Sequence, residues 1–379
     1  MVHDGEMDLT RKQVIGHRIA AQQLDREPAP RRAATDAAIL DLGVQDSGRD
    51  GASWALVNRG VPIASADALS GVDDLGLVWS LRVSPHYYRR GELVDVMTAV
   101  SPFDDVDAGQ RMVGAAKPVA ALGIEPREAI AVVARAMRRL VTDPMVKGDL
   151  STALTAELPD AYGIECRPCR ATHVPESLFR IAAVFGGLEI EPATSPPVLR
   201  RIPDWPRRPA GVAADPSATP EHLQVIRGHL RLLGPATPAE VAGFLDTTAA
   251  VIKQHWPDDA VEVRVDGRKK WLLGDLLEAQ PVVRLLGPYD LLVQGKDRDL
   301  LVPEAAHRKL LWPALGRPGP LLADGEIVGC WRPRAKGRKL DVELELWQPR
   351  AATTKQIGEQ AERLAAHRGL RLGSVSSPS

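Results

Sequence analysis

Residues 219–273 read TPEHLQVIRGHLRLLGPATPAEVAGFLDTTAAVIKQHWPDDAVEVRVDGRKKWLL, and this stretch decides the fold. Residues 221–233 carry apolar side chains at helical spacing and are stopped by Gly234-Pro235. Thr237-Pro238-Ala239-Glu240 then opens a second helix: a hydroxyl N-cap, proline at the first helical position, and glutamate three residues on to complete a capping box. That helix ends near Leu245, and Asp246-Thr247-Thr248 caps a third, over 248–256. The closing segment, 261–273, alternates as strand, Asp266-Gly267 turn and strand. Three short helices and a basic hairpin follow the order of a winged helix-turn-helix, whose third helix enters the major groove while the wing touches phosphate. Arg264, Arg268, Lys269 and Lys270 sit at the wing tip and are predicted to meet DNA. The same fold also serves as a protein-interaction module, so the order alone leaves the partner open.

Working outward, residues 148–190 show a weaker copy, with amphipathic helices over 150–158 and 174–186 separated by polar, turn-rich sequence. Proline-rich residues 191–218 read as a linker that includes the basic group Arg200, Arg201, Arg207 and Arg208. Upstream, 11–24 and 36–42 are predicted to be helical, 75–90 a strand running into a Ser-Pro turn, and 126–141 a helix opened by proline. Downstream, 282–348 is strand-like with turns at Asp324-Gly325 and Lys336-Gly337, and a helix over 353–368 precedes a tail, SVSSPS, expected to be disordered. The run from Trp331 to Lys339 carries Arg332, Arg334, Lys336, Arg338 and Lys339 with no acid, at a hairpin end. The expected fold class is α+β, with tandem winged helices around a small C-terminal β-barrel. The expected domains are 1–140, 141–210, 211–280 and 281–379.

The 379 residues suffice for several domains with proper cores, and 44% hydrophobic with 26% charged residues describe an ordinary globular chain. The first twenty residues lack the apolar core of a signal peptide, no stretch is apolar enough to span a membrane, and three cysteines fit a reducing compartment. The expected location is the bacterial cytoplasm, with no membrane partner. A net charge of −1 gives no overall pull on nucleic acid, so a DNA site must come from local clusters.

The series Leu285-Leu286-Gly287-Pro288-Tyr289-Asp290, Lys296-Asp297-Arg298 and Ala323-Asp324-Gly325-Glu326-Ile327-Val328-Gly329-Cys330-Trp331-Arg332 resembles the winged-helix family of the DNA crosslink glycosylases AlkZ and YcaQ. The resemblance runs over most of the chain. It implies a basic concave surface on duplex DNA and metal-free hydrolysis of cationic, bulky or crosslinked N-alkylpurines. The family's catalytic motif is Gln-x-Gln or Gln-x-Asp. Here Leu42-Gly43-Val44-Gln45-Asp46-Ser47 places Gln45 at the first motif position and Ser47 at the second, where the side chain is shorter and uncharged. In an extended segment Gln45 and Ser47 point to one side and Asp46 to the other. Arg82-Val83-Ser84-Pro85-His86 matches a similar Arg-x-x-x-His, which implies that Arg82 and His86 contact phosphate or line the site; a histidine bonded to nearby backbone is the alternative. The chemistry asks for little, because an N7-alkylated guanine already carries positive charge and leaves without acid help. Ser47 also admits a noncatalytic DNA-binding protein, a regulator or damage sensor.

Other chemistries find no footing. Cys166-Arg167-Pro168-Cys169 has the spacing of half a zinc site and His173 follows, but no second Cys-x-x-Cys exists, so no metal is expected. Phosphate-binding loops, His-Glu-x-x-His and Gly-x-Ser-x-Gly are all missing, and no cofactor is expected. No dimerisation helix stands out, and a monomer is expected.

Overall fold

Thr237 closes the capping box as read: its side chain accepts from the Glu240 amide, and Glu240 accepts from the Thr237 amide at 2.7 Å. Thr248 caps the next helix by accepting from Val251. Asp266 and Gly267 both take the positive φ that a two-residue hairpin turn needs (48° and 77°), where aspartate and glycine are the residues that tolerate it. These local choices belong to a computed structural model that describes residues 7–121, 123–207, 209–348 and 352–376.

Along the chain, β1 (Met7–Leu9) and α1 (Arg11–Ala21) lead through 3-10 turns at 34–41 to β2 (Val44–Gln45), α2 (Gly51–Val57), β3 (Leu75–Trp79) and β4 (Pro85–Arg89). Helices α3 (Leu93–Ala99), α4 (Asp105–Arg111) and α5 (Ala116–Ala120) connect to α6 (Pro126–Leu140) and β5 (Met145–Val146). Then come α7 (Lys147–Glu157), the hairpin β6 (Ile164–Cys166) and β7 (Ala171–His173), α8 (Glu176–Phe185), β8 (Leu188–Ile190) and β9 (Val198–Arg201). The opening stretch supplies α9 (Val225–Leu233), α10 (Pro238–Leu245), α11 (Ala249–Gln254), β10 (Val261–Val265) and β11 (Arg268–Leu272). A pattern repeats. In the sheets β2-β4-β3 and β5-β9-β8, a short strand pairs with the second strand of a later hairpin, and Ala236 bridges to Trp271 of β11 in the same way. β1 adds a parallel strand on β10, which the sequence did not announce.

The last region holds β12 (Val283–Leu285), α12 (Arg298–Leu301), α13 (Ala305–Leu311), β13 (Gly319–Ala323), β14 (Glu326–Lys336), β15 (Lys339–Leu346), α14 (Thr354–His367) and β16 (Arg371–Ser376). Its five strands form a curled half-barrel in the order β12-β13-β14-β15-β16. The expected small barrel is an open, curled sheet, with α14 packed on both of its edge strands, β12 and β16. Three further expectations change. Residues 374–376, the first half of the tail expected to be disordered, belong to β16, which pairs in parallel with β15, and 377–379 lie outside the described residues. The linker contains β9, which pairs with both β5 and β8; Arg208 is outside the described residues. The run 291–311 is helical turns instead of strand, because Asp290 accepts from Leu292 and starts a turn. The fold is mixed α+β.

One apolar cluster runs from Ala37 to Leu291, α6 packs on α7 and α8, and Ile15 and Ile19 of α1 pack with Leu286 and Leu292. Two buried ion pairs tie the ends together. Arg59 meets Asp290 in a bidentate pair at 2.8 and 2.9 Å with both side chains fully buried, and Arg18 meets Asp297 at 3.0 and 2.6 Å. Guanidinium and carboxylate forks match in shape, which offsets the cost of taking each pair out of water. Asp290 and Asp297 thus hold the 287–298 segment against α1 and α2.

Candidate active site and nucleic-acid interface

Gly43 sets the geometry of the candidate site. Its φ is +79°, and a Cβ there would meet the Tyr88 ring at 2.4 Å and His86 Cβ at 2.9 Å, so only glycine allows the chain to turn into β2. β2 then pairs with β4, Gln45 opposite His86, and the Asp46 amide donates to Pro85 O at 2.9 Å. On the far side, α2 is anchored to the half-barrel: Trp54 Nε1 and Asn58 Nδ2 both donate to Leu285 O, at 2.6 and 3.2 Å. Arg368 clamps Asp50 at 2.6 Å. The segment 45–51 is therefore fixed at both ends.

Arg82 reaches Gln45. Its guanidinium donates to Gln45 Oε1 at 3.4 Å and to Gln294 Oε1, and lies 4.4 Å from the centre of the Phe244 ring. Arg82 and Val83 both have positive φ (55° and 51°), a backbone state costly for side chains other than glycine, and one kept where surrounding contacts demand it. Burial lowers the Arg82 pKa. Arg82 is thus a positioning contact for the Gln45 carboxamide inside the protein.

His86 is buried, and its Nδ1 lies 2.9 Å from Ser84 O. A carbonyl only accepts, so Nδ1 carries the proton; burial and the Arg82 charge push the pKa down to about 3, and the ring is neutral. Of the two readings weighed for His86, the structure has the bond to neighbouring backbone, with no surface from which to meet phosphate.

Asp46 and Ser47 diverge. Asp46 lines a cavity of about 430 Å³ with Tyr87, Trp79 and Glu191, and burial pushes its carboxyl up to about 6. Ser47 lines a different cavity, of about 560 Å³, between α2 and the half-barrel. Across that cleft stand Arg332 and Arg334 of the basic run, with Arg49, Arg317 and Arg368 along its walls. Gln45 lies two residues from the cleft. Gln294, Phe244, Arg49, Arg317 and Arg368 were absent from the sequence reading. Gln294 was the closest to legible, lying between the matched blocks 285–290 and 296–298.

The two predicted basic hairpins differ. Arg332, Arg334, Lys336, Arg338 and Lys339 are all exposed; Arg334 pairs with Glu343 at 3.0 Å and Arg332 donates to Gly316 O. At the β10–β11 hairpin, Arg268 pairs with Asp299 at 3.1 Å, Lys269 with Glu262, and Arg264 donates to Gly267 O at 3.3 Å. Lys270 is a correction. Instead of reaching phosphate it is buried, bound to Glu240 at 2.7 Å and to Asp297 at 2.8 Å, because it shares the inward face of β11 with Leu272. The lysine and Arg18 together hold the Asp297 carboxyl far below the ordinary carboxylate range, against the opposing effect of burial.

Cys166, Cys169 and His173, which the sequence reading set aside, converge so that one ligand atom from each lies within 4.8 Å of the others. No helix among the described residues is long and apolar enough to cross a membrane.

Curated protein sequences give no match. Among solved structures, Streptomyces sahachiroi DNA glycosylase AlkZ is similar with a TM-score of 0.72 at 19% identity, covering 98% of this chain and 100% of that one, a likeness of fold. The family described as "DNA glycosylase AlkZ-like" matches over residues 39–367, from just before the Gln45 segment to the end of α14. The chain belongs to the AlkZ-like DNA glycosylase family.

Proposed function

We propose that this protein binds duplex DNA and hydrolyses the N-glycosidic bond of bulky or crosslinked N-alkylpurines. The observation that carries the reading is the cleft: Ser47, two residues after Gln45, and the cationic hairpin residues Arg332 and Arg334 line one cavity. The three helix-and-hairpin repeats act as winged helices, and the exposed run 332–339 holds phosphate.

Gln45 is the catalytic residue. Arg82 occupies one lone pair of its carboxamide oxygen and so fixes the group's orientation; the second lone pair can hold the attacking water, and the amide can donate to the DNA backbone. Water adds to C1′ as the C1′–N9 bond breaks, the departing purine takes the bonding pair and loses its positive charge, and the water's proton passes to solvent. The preorganised carbonyl stabilises the oxocarbenium-like sugar. Ser47 holds the water more weakly than a second carboxamide would.

A noncatalytic DNA-binding role is the second reading, favoured by Ser47. Base release from a duplex carrying N7-alkylguanine, measured for the wild type and for Ser47→Gln, separates the two. Abasic sites formed by the wild type and formed faster by the variant support the enzyme. Salt-sensitive binding with no release by either protein supports the binding role.

A further inference from the structure

The geometry points to a zinc site made by Cys166, Cys169 and His173 in the connection between α7 and α8. Cys166 ends β6, Arg170 turns the loop with φ of 53°, and β7 brings His173 opposite Ile164. The loop 166–169 curls so that both sulfurs and one imidazole nitrogen lie within 4.8 Å of one another, and the two cysteines are free thiols.

The second observation is the state of the imidazole. His173 Nδ1 lies 2.8 Å from Val174 O, an acceptor, so Nδ1 carries the proton and Nε2 is the lone pair. That Nε2 atom is buried and has no hydrogen-bond partner. A ring nitrogen oriented by a backbone carbonyl, with its other nitrogen left bare, is how proteins present histidine to a metal. Soft thiolates with one imidazole select Zn²⁺ among the common divalent ions, and two thiolates neutralise its charge. Lys147, paired with Glu176 at 2.8 Å, stands at the start of α7 close to the loop. Binding releases two thiol protons to solvent. Cys169 is exposed, so the fourth coordination position opens to water.

The metal would close the 164–173 hairpin just before α8. That helix reaches the candidate site through Arg180, which donates to Val83 O at 3.2 Å beside Arg82. The clip's role is to fix the entry of α8, and it stands whether or not the protein cuts DNA.

The test uses the full chain purified with reductant, loaded with zinc chloride, desalted and assayed for metal, with Co²⁺ alone as a spectroscopic probe. Expected are close to one zinc per chain and the thiolate charge-transfer and intense d–d bands of tetrahedral cobalt. Cys330→Ser retains both, while Cys166→Ser weakens zinc binding by more than about 100-fold. Zinc lost on desalting the wild type, equal retention by Cys166→Ser, cobalt spectra without thiolate bands, or a Cys166–Cys169 disulfide in the reduced preparation would each overturn the site. The cobalt titration of wild type needs no variant to fold.

Discussion

The β10–β11 hairpin and the β14–β15 hairpin look alike in sequence, each a two-residue turn flanked by arginines and lysines, yet the protein uses their charges in opposite ways. In the first, Lys270 turns inward to Asp297 and Glu240, and Arg268 and Lys269 pair with Asp299 and Glu262. In the second, five cations project into solvent beside the cleft that Ser47 lines. Cation count is a poor measure of DNA affinity when acids close in space neutralise it. At the first hairpin Lys270 is committed to the fold and Arg268 and Lys269 face acids, whereas at the second the one acid faced among the described residues is Glu343, so the proposed DNA site draws on the charge that remains there.

The largest expected effect falls on the second hairpin. Replacing Arg332, Arg334, Lys336, Arg338 and Lys339 with alanine should weaken duplex binding by at least about 100-fold at low salt and reduce the salt-dependence slope by roughly 4. Fluorescence anisotropy across a salt series reads both, and an unchanged slope would break the comparison. Next comes Lys270→Ala, which should cost about 2–3 kcal/mol in urea denaturation because Asp297 keeps only Arg18, while the slope for DNA stays put. A stable variant with weakened binding would reverse the roles of the hairpins.

Acid sharpens the contrast. Asp297 has a folded pKa below its unfolded value, so its stabilisation is complete above the unfolded pKa of roughly 4 and is lost as pH falls below it. The Lys270→Ala penalty should therefore be full at neutral pH and shrink in stronger acid, as denaturation at the two pH values would show; a penalty growing in acid would contradict the network. The smallest effect is expected for Arg268→Ala with Lys269→Ala, exposed pairs worth under about 1 kcal/mol in total stability.

Much of this was legible where chemistry is local. The Thr237 capping box, the Thr248 cap, the Asp266-Gly267 and Asp324-Gly325 turns and the helix after Thr353 all form as read. Lys270 was partly legible: in a strand of period two it falls on the face of Leu272, opposite Val263. Its partner Asp297 and the distant Arg18 are brought together only by the tertiary fold, as are Gln294 and Phe244 around Arg82. The strand at 371–376 went unread because its alternation is weak and its pairing with β15 is long-range. The Cys-Cys-His group was set aside on ligand count, since spacing alone does not reveal a histidine whose outer nitrogen is already committed.

The central claim is that Gln45 performs chemistry while the 332–339 run supplies affinity. Single-turnover base release from an N7-alkylguanine duplex, with enzyme saturating over DNA, tests it directly. The account predicts that Gln45→Ala binds normally but loses at least about 100-fold in rate, a loss typical of removing a group that acts in the transition state, and that the five-alanine hairpin variant, once saturated, releases base at close to the wild-type rate. A Gln45→Ala protein that cuts as fast as wild type would contradict it.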